Sequence, residues 1–318
     1  MNGGKNMSIL EIKNVAKKFG KKTIIDNMSF TVEEGEVYGF LGPNGSGKTT
    51  LIKMVMGLLK ITKGEIKVGG YDVTKDYEKA ASLFGGIIEN PAMYGELKGI
   101  SNLKFFSSLY PDVTESKIRE IVEIVGLKDR INDPIKKYSL GMKQRLGLAL
   151  ALVHNPKLLI LDEPTNGLDP KGIKELRDIL RRLAKQGTAV FVSSHLLSEM
   201  ELMCDRVCII DKGKVIEIKD LRKSKVEAID DKTGTEIYEF VYETDNDHLS
   251  FEIANKLGYN CELDVEGRLV VHSTKQELAK LTKEIIRQGI NVFTVTMCKK
   301  SLEELYIETT EKKKGGKA

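Results

Sequence analysis

The sequence has no tryptophan, four histidines, four cysteines and seven prolines among its 318 residues. Each shortage excludes something. Cys204, Cys208, Cys261 and Cys298 form no C-x-x-C pair, and few histidines stand near them. That argues against a disulfide-stapled scaffold and a zinc site, and leaves free thiols in a reducing compartment. Scarce proline, with 41% hydrophobic and 30% charged residues, excludes a disordered chain. No apolar run approaches the ~18 residues of a membrane span. The best candidate, LGLALALV at 146–153, stops at His154 and Asn155. The first residues lack the basic-then-apolar pattern of a signal peptide. The expectation is a chain that neither spans nor crosses a membrane alone but can bind a protein that does. The net charge of +4 is too weak to imply nucleic acid.

What is present has an order. ILEIKNVAKKF at 9–19 and NMSFTVEEGEVYGFLG at 27–42 alternate as strands do. A helix pattern runs from Gly47 to Leu59, and GEIKVGG then reads as a strand and turn. Residues 100–125 look mainly helical, with Gly126 as a stop signal, and Leu140 to Val153 form another helix. KLLILDEP is a continuous apolar strand of the kind a buried parallel sheet requires. A helix at 171–186 and the strand TAVFVSS follow. This β–α alternation predicts an α/β core with a mainly helical insert. Beyond about residue 220 the texture changes to β-α-β-β-α-β plus a final helix over SLEELYIETT at 301–310, the order of ferredoxin-like domains. The last residues, EKKKGGKA at 311–318, read as a solvated basic tail.

Two motifs carry chemistry. GPNGSGKT (Gly42, Pro43, Asn44, Gly45, Ser46, Gly47, Lys48 and Thr49, with Thr50 next) fits G-x-x-x-x-G-K-[ST] between a strand and a helix. Its glycines let successive N–H groups face phosphate oxygens, and the helix N-terminus adds partial positive charge. Lys48 then reaches the β- and γ-phosphates, and Thr49 offers a hydroxyl to Mg²⁺. The second motif ends the apolar strand in Asp162 and Glu163. Asp162 is placed to hold Mg²⁺, and Glu163 to polarise a water aimed at the γ-phosphate. Together they leave kinases, GTPases, helicases and transporters open.

The segment KYSLGMKQRLGLALAL narrows the choice. Ser139 stands as an N-cap before a helix, with Gly141 permitting close approach, so this helix end is a second phosphate-binding terminus. Over residues 9–220 the chain resembles an ATP-binding subunit of an ABC transporter, with YSLGM in the signature position. Ser139 and Gly141 match that pattern; Tyr138, Leu140 and Met142 depart from it. The resemblance implies a P-loop ABC ATPase core with an antiparallel β arm and a helical subdomain at about 89–150, within a domain of 1–220. A C-terminal α+β accessory domain follows at 225–310. It also implies ATP and Mg²⁺ as cofactors, and a second ATP-binding chain, as a homodimer, whose signature segment closes over Lys48. NGLDP at 166–170 resembles the D-loop, with Asp169 its acid, and His195 in VSSHLLSEME resembles the γ-phosphate-contacting histidine. Phe19 falls where the family stacks an aromatic ring on adenine. The resemblance implies a glutamine loop between the P-loop and the signature segment; no glutamine occurs before Gln144, and Glu89 in IIENPAMYG is either an ordinary loop acid or the residue at that position, which the resemblance makes a ligand for Mg²⁺ and the attacking water. Glu89 followed by NP, YSLGMKQR and SLEELYIETT are similar to peptide-antibiotic, lantibiotic and drug exporter subunits. The implied partner is a separate integral-membrane permease at the cytoplasmic face of the membrane, with no nucleic acid. The alternative within the family is a soluble ATPase acting on the ribosome or DNA. Ribosome-acting members usually fuse two such domains, and DNA-repair members carry long coiled coils or zinc cysteines.

Overall fold

The computed structural model describes residues 8–222, 228–229 and 236–297. The chain divides into two compact units, one running to Leu221 and the other starting at Arg222. The first unit opens with β1 (Ser8–Phe19) and β2 (Lys22–Glu33), a hairpin whose turn places Gly20 at φ 56°. Then come β3 (Val37–Leu41), α1 (Lys48–Val55), β4 (Lys63–Val68), β5 (Tyr71–Asp72), α2 (Tyr77–Ala81) and β6 (Phe84–Ile87). The helical insert holds α3 (Gly99–Ser107), α4 (Glu115–Ile124) and α5 (Leu140–Leu152). The unit closes with β7 (Leu158–Asp162), α6 (Pro170–Lys185), β8 (Ala189–Ser194), α7 (Leu197–Met203), β9 (Arg206–Asp211) and β10 (Lys214–Asp220).

Two sheets share one core. The antiparallel sheet has the order β2-β1-β4-β5, and the larger sheet β10-β9-β3-β8-β7-β6. In the larger one β9, β3, β8, β7 and β6 run parallel, and β10 pairs antiparallel at the edge. Every residue of β3, β7 and β8 is buried. Their unbroken apolar runs are therefore a consequence of being covered on both faces. Between the sheets Phe30, Tyr38, Phe40 and Phe191 meet with ring centroids 5.4–6.2 Å apart. Burying side chains of this size contributes roughly 1.5–3 kcal/mol each. Burial also makes the thiols inert, pushing Cys208 up to about 12 and Cys204 further.

The helix over the P-loop is shorter than the apolar pattern suggests. It ends at Val55 because Gly57 adopts φ 70° and breaks it, so the segment to Leu59 is not helical. In the insert, α5 is apolar on most sides and packs its backbone against β6. Glycines make that approach possible. A Cβ added at Gly85 would lie 1.9 Å from the Ala151 carbonyl oxygen, and one at Gly147 would lie 2.4 Å from Pro91 Cβ.

The second unit contains β11 (Ala228–Ile229), β12 (Glu236–Thr244), α8 (Asp247–Lys256), β13 (Asn260–Leu263), β14 (Leu269–Ser273), α9 (Lys275–Arg287) and β15 (Val292–Met297). Its main strands lie in the order β15-β12-β14-β13, all antiparallel. Ala254, Leu281 and Ile285 from the helices join Tyr242, Leu269 and Val271 in its core. This is a ferredoxin-like arrangement. The helix expected at 301–310, the basic tail and Cys298 lie outside the described residues.

Gly85→Ala is expected to destabilise the first unit by about 1–3 kcal/mol, because the methyl collides with helix backbone that cannot rotate away. Urea denaturation of the full chain checks this; an unchanged midpoint would show that β6 and α5 separate freely.

Candidate active site

The parallel strands β3, β7 and β8 deliver their carboxyl ends to one edge of the sheet, where loops can converge on a ligand. After β3 the chain curls through Gly42–Gly47 into α1. Gly45 at φ 79° and Gly47 at φ 108° hold backbone conformations that other residues avoid. Gly42 is required for a different reason: a Cβ there would lie 2.6 Å from the Ile210 carbonyl oxygen. The loop rim carries Ser46, whose buried Oγ has no hydrogen-bond partner. A buried hydroxyl left unpaired is costly unless a ligand takes it, and an anion oxygen suits it.

Lys48, only 6% exposed, folds back under the loop. Its Nζ donates to the carbonyls of Gly42 at 2.6 Å and Pro43 at 3.2 Å. It also stands 3.1 Å from Glu163 Oε1, while Glu163 Oε2 lies 2.8 Å from His195 Nδ1. Glu163 is therefore held between a cation and an imidazole. Its backbone sits at φ 48°, a region sparsely used by residues with a side chain. Such a conformation persists where surrounding contacts over-determine it.

Those contacts run through Ser193. Its Oγ donates to Asp162 Oδ1 at 2.6 Å and accepts from the Glu163 N–H at 3.0 Å. Asp162 and Ser193 are register partners across β7 and β8. The serine thus aims one acid and fixes the backbone of the next. Nothing local in the sequence marks it, because the pairing depends on strand register.

Glu89 follows β6 at φ 60°, exposed, with Lys53 of α1 at 3.6 Å. It shares a cavity of about 240 Å³ with Thr49, Asn90, Leu140, Gln144, Asp162, Glu163 and Asn166. Thr49, Glu89 and Asp162, the residues that could hold Mg²⁺, thus face one cavity with hard oxygen donors. Among the described residues, no three His, Cys, Asp or Glu side chains form a cage by themselves. Gln144, unassigned from the sequence, is buried and donates from Nε2 to the Pro164 carbonyl at 3.1 Å, linking α5 to the loop after Glu163.

Four expected residues lie elsewhere. Phe19 ends β1, half-exposed, away from this cavity. Ser139 caps α5 by accepting from the Met142 N–H at 3.2 Å, and Asp169 caps α6 by accepting from the Gly172 N–H at 2.9 Å. A Cβ at Gly141 would meet only Leu168 Cδ2, at an ordinary 3.8 Å. Within its own chain, Gly141 has no steric need to be glycine.

A P-loop at the carboxyl edge of a parallel sheet, beside a strand that ends in two acids, defines a nucleotide-binding P-loop unit. The family model for ABC transporters matches residues 25–166. An uncharacterized ABC transporter ATP-binding protein of Bacillus subtilis (strain 168), YhcH, is 47% identical over 304 residues, covering 95% of this chain and 96% of its own. The bacitracin transport ATP-binding protein BcrA of Bacillus licheniformis is 37% identical over 302 residues, covering 95% and 97%. A solved ATP-binding subunit of an ABC transporter superposes with a TM-score of 0.62 at 28% identity, over 69% of this chain and 92% of that one. The chain belongs to the ATP-binding proteins of ABC transporters, a family of nucleotide-binding ATPases.

Ser193→Ala leaves a buried carboxylate oxygen and a backbone N–H without their partner. It is expected to cost about 1–3 kcal/mol of stability. A urea midpoint equal to that of the parent chain would show that the hydroxyl bridge contributes nothing.

Proposed function

We propose that this chain hydrolyses ATP to power export of a peptide antibiotic or a similar amphiphile, working as one of two nucleotide-binding chains beneath a separate membrane permease. The observation that carries the reading is the array Lys48–Glu163–His195 beside Thr49 and Asp162 at a single sheet edge. The P-loop N–H groups and Ser46 receive the phosphates, and Lys48 turns to their β- and γ-oxygens. Lys48 then leaves Glu163, whose carboxylate is freed to accept a proton from the attacking water. His195 keeps Glu163 oriented through Nδ1 and offers Nε2 to the γ-phosphate. Thr49, Asp162 and Glu89 are the residues that would hold Mg²⁺, which when bound neutralises developing phosphate charge.

A second chain is supported by the signature helix. Gly141 is open on its outer side, which leaves room for another chain's phosphates to approach the backbone closely. Ser139 and Gly141 would reach the phosphates on the other chain's Lys48, with Asp169 near the same junction. Phe19 would stack on the adenine. The permease is supported by surface chemistry. A groove of about 500 Å³ runs beside β6 and α5, lined by Ile88, Pro91, Phe106, Tyr110 and Leu150. Next to it Tyr94, Phe105 and Leu109 are exposed by half or more. An apolar surface this dense calls for a partner. It adjoins the Glu89 loop, so a permease segment seated there would feel the site directly. Among the described residues no helix is long and apolar enough to cross a membrane, so attachment at its cytoplasmic face falls to the permease. The cargo class rests on the relatives' transport of bacitracin, and the second unit is proposed as an accessory domain.

Glu163→Gln should keep ATP affinity and slow hydrolysis roughly 10²–10⁴-fold, the range for losing a general base. In cells holding the permease it should also abolish any peptide-antibiotic tolerance the parent chain confers. Hydrolysis at the parent rate would remove Glu163 from the role, and a parent chain conferring no such tolerance would remove the cargo.

Glu89 separates into two tests. Glu89→Ala should lower hydrolysis and uncouple it from efflux in permease vesicles, with MgATP affinity nearly kept. Glu89→Gln retains the oxygen and drops a charge, so metal-free ATP binding should tighten by less than about fivefold, the scale of one screened charge. An alanine variant that hydrolyses and transports like the parent would make Glu89 an ordinary loop acid.

A further inference from the structure

Lys17 is a buried cation that the reaction described above does not use. It is 8% exposed, and among the described residues no carboxylate pairs with it. Burying an ammonium without a counter-charge is costly, so something must compensate. Two contacts do. Nζ donates to the Lys60 carbonyl at 2.7 Å, and it lies over the Phe19 ring, 4.7 Å from the centroid. An ammonium at that distance is attracted by the ring's negative face.

The anchor at the other end matters as much. Lys60 belongs to the segment between α1 and β4, beyond the end of the helix that leaves the P-loop. The same segment is stitched to the end of β1 twice more. Thr62 N–H donates to the Ala16 carbonyl at 3.0 Å, and Lys18 N–H donates to Thr62 Oγ1 at 3.1 Å. The end of β1 is therefore fixed relative to the far end of α1, the helix whose first residues close the phosphate loop. Lys17 is the link in this set that reaches the aromatic ring itself.

We infer that Lys17 is a positioning residue for the nucleobase. Its ammonium holds the Phe19 ring from one face and leaves the half-exposed ring available to a purine. The cation also draws electron density from the ring, which favours stacking by an electron-rich base. The tie to Lys60 sets the spacing between base platform and phosphate cradle. This rests on the proposed stacking role of Phe19, and the test separates the two.

The probes are a non-hydrolysable ATP analogue and inorganic tripolyphosphate, titrated calorimetrically into the full chain. Lys17→Met should weaken the ATP analogue about three- to twentyfold, the scale of a desolvated cation–π contact, and leave tripolyphosphate within twofold. Lys17→Arg should restore binding. Lys17→Gln, which keeps a donor for Lys60 without the charge, should behave like the methionine variant and serves if that variant folds poorly. Phe19→Ala should also lose base-dependent affinity, and adding Lys17→Met to it should cost nothing more. Lys17 variants that bind the analogue like the parent overturn the inference and leave Phe19 stacking intact. Equal loss of both probes overturns it too, making Lys17 a structural residue. An unchanged Phe19→Ala overturns the stacking reading and this inference with it.

Discussion

Burial of β3, β7 and β8 on both faces is the constraint from which the first unit follows. A strand covered on both sides can carry no charge along its length, so the first charged or ligand-facing groups come at or after its carboxyl end. Because the three strands run parallel and adjacent, those exits fall on one edge. The P-loop, the acid pair and the His195 turn meet there because the sheet permits chemistry nowhere else along these strands.

The same edge concentrates cost. Glu163 adopts a left-handed backbone, Lys48 and Asp162 are almost wholly buried, and Ser46 keeps an unpaired hydroxyl. Each feature is unfavourable alone. They are tolerated because Lys48 offsets Glu163, Ser193 satisfies Asp162 and braces the next N–H, and the core beneath is densely apolar. Functional sites are where local rules are broken and neighbouring contacts compensate.

Much of this was legible in the sequence. The P-loop glycines, the apolar run before Asp162 and the β-α-β-β-α-β order of the second unit each leave a local trace, and Glu89 lines one cavity with Thr49 and Asp162. What was not legible depends on register and on distance along the chain. Ser193 meets Asp162 only because β7 and β8 align, Gln144 meets Pro164 only once α5 docks, and Lys17 gains meaning only beside Lys60. The end of α1 was misjudged because apolar spacing continues past Gly57, whose backbone conformation overrides it.

The glycine contacts between α5 and β6 bear on how force travels. Side chains that interdigitate can slip by rotamer changes, but backbone pressed on backbone has no such slack. Gly85 lies directly on the Ala151 backbone, and Gly147 takes the Pro91 ring of the loop after β6, so α5 is held close to β6 and to the turn that follows it. The signature residues sit at one end of α5, and Glu89 comes two residues after β6. A push on the helix tip therefore arrives at the Glu89 turn with little loss, as torque through a coupling without play.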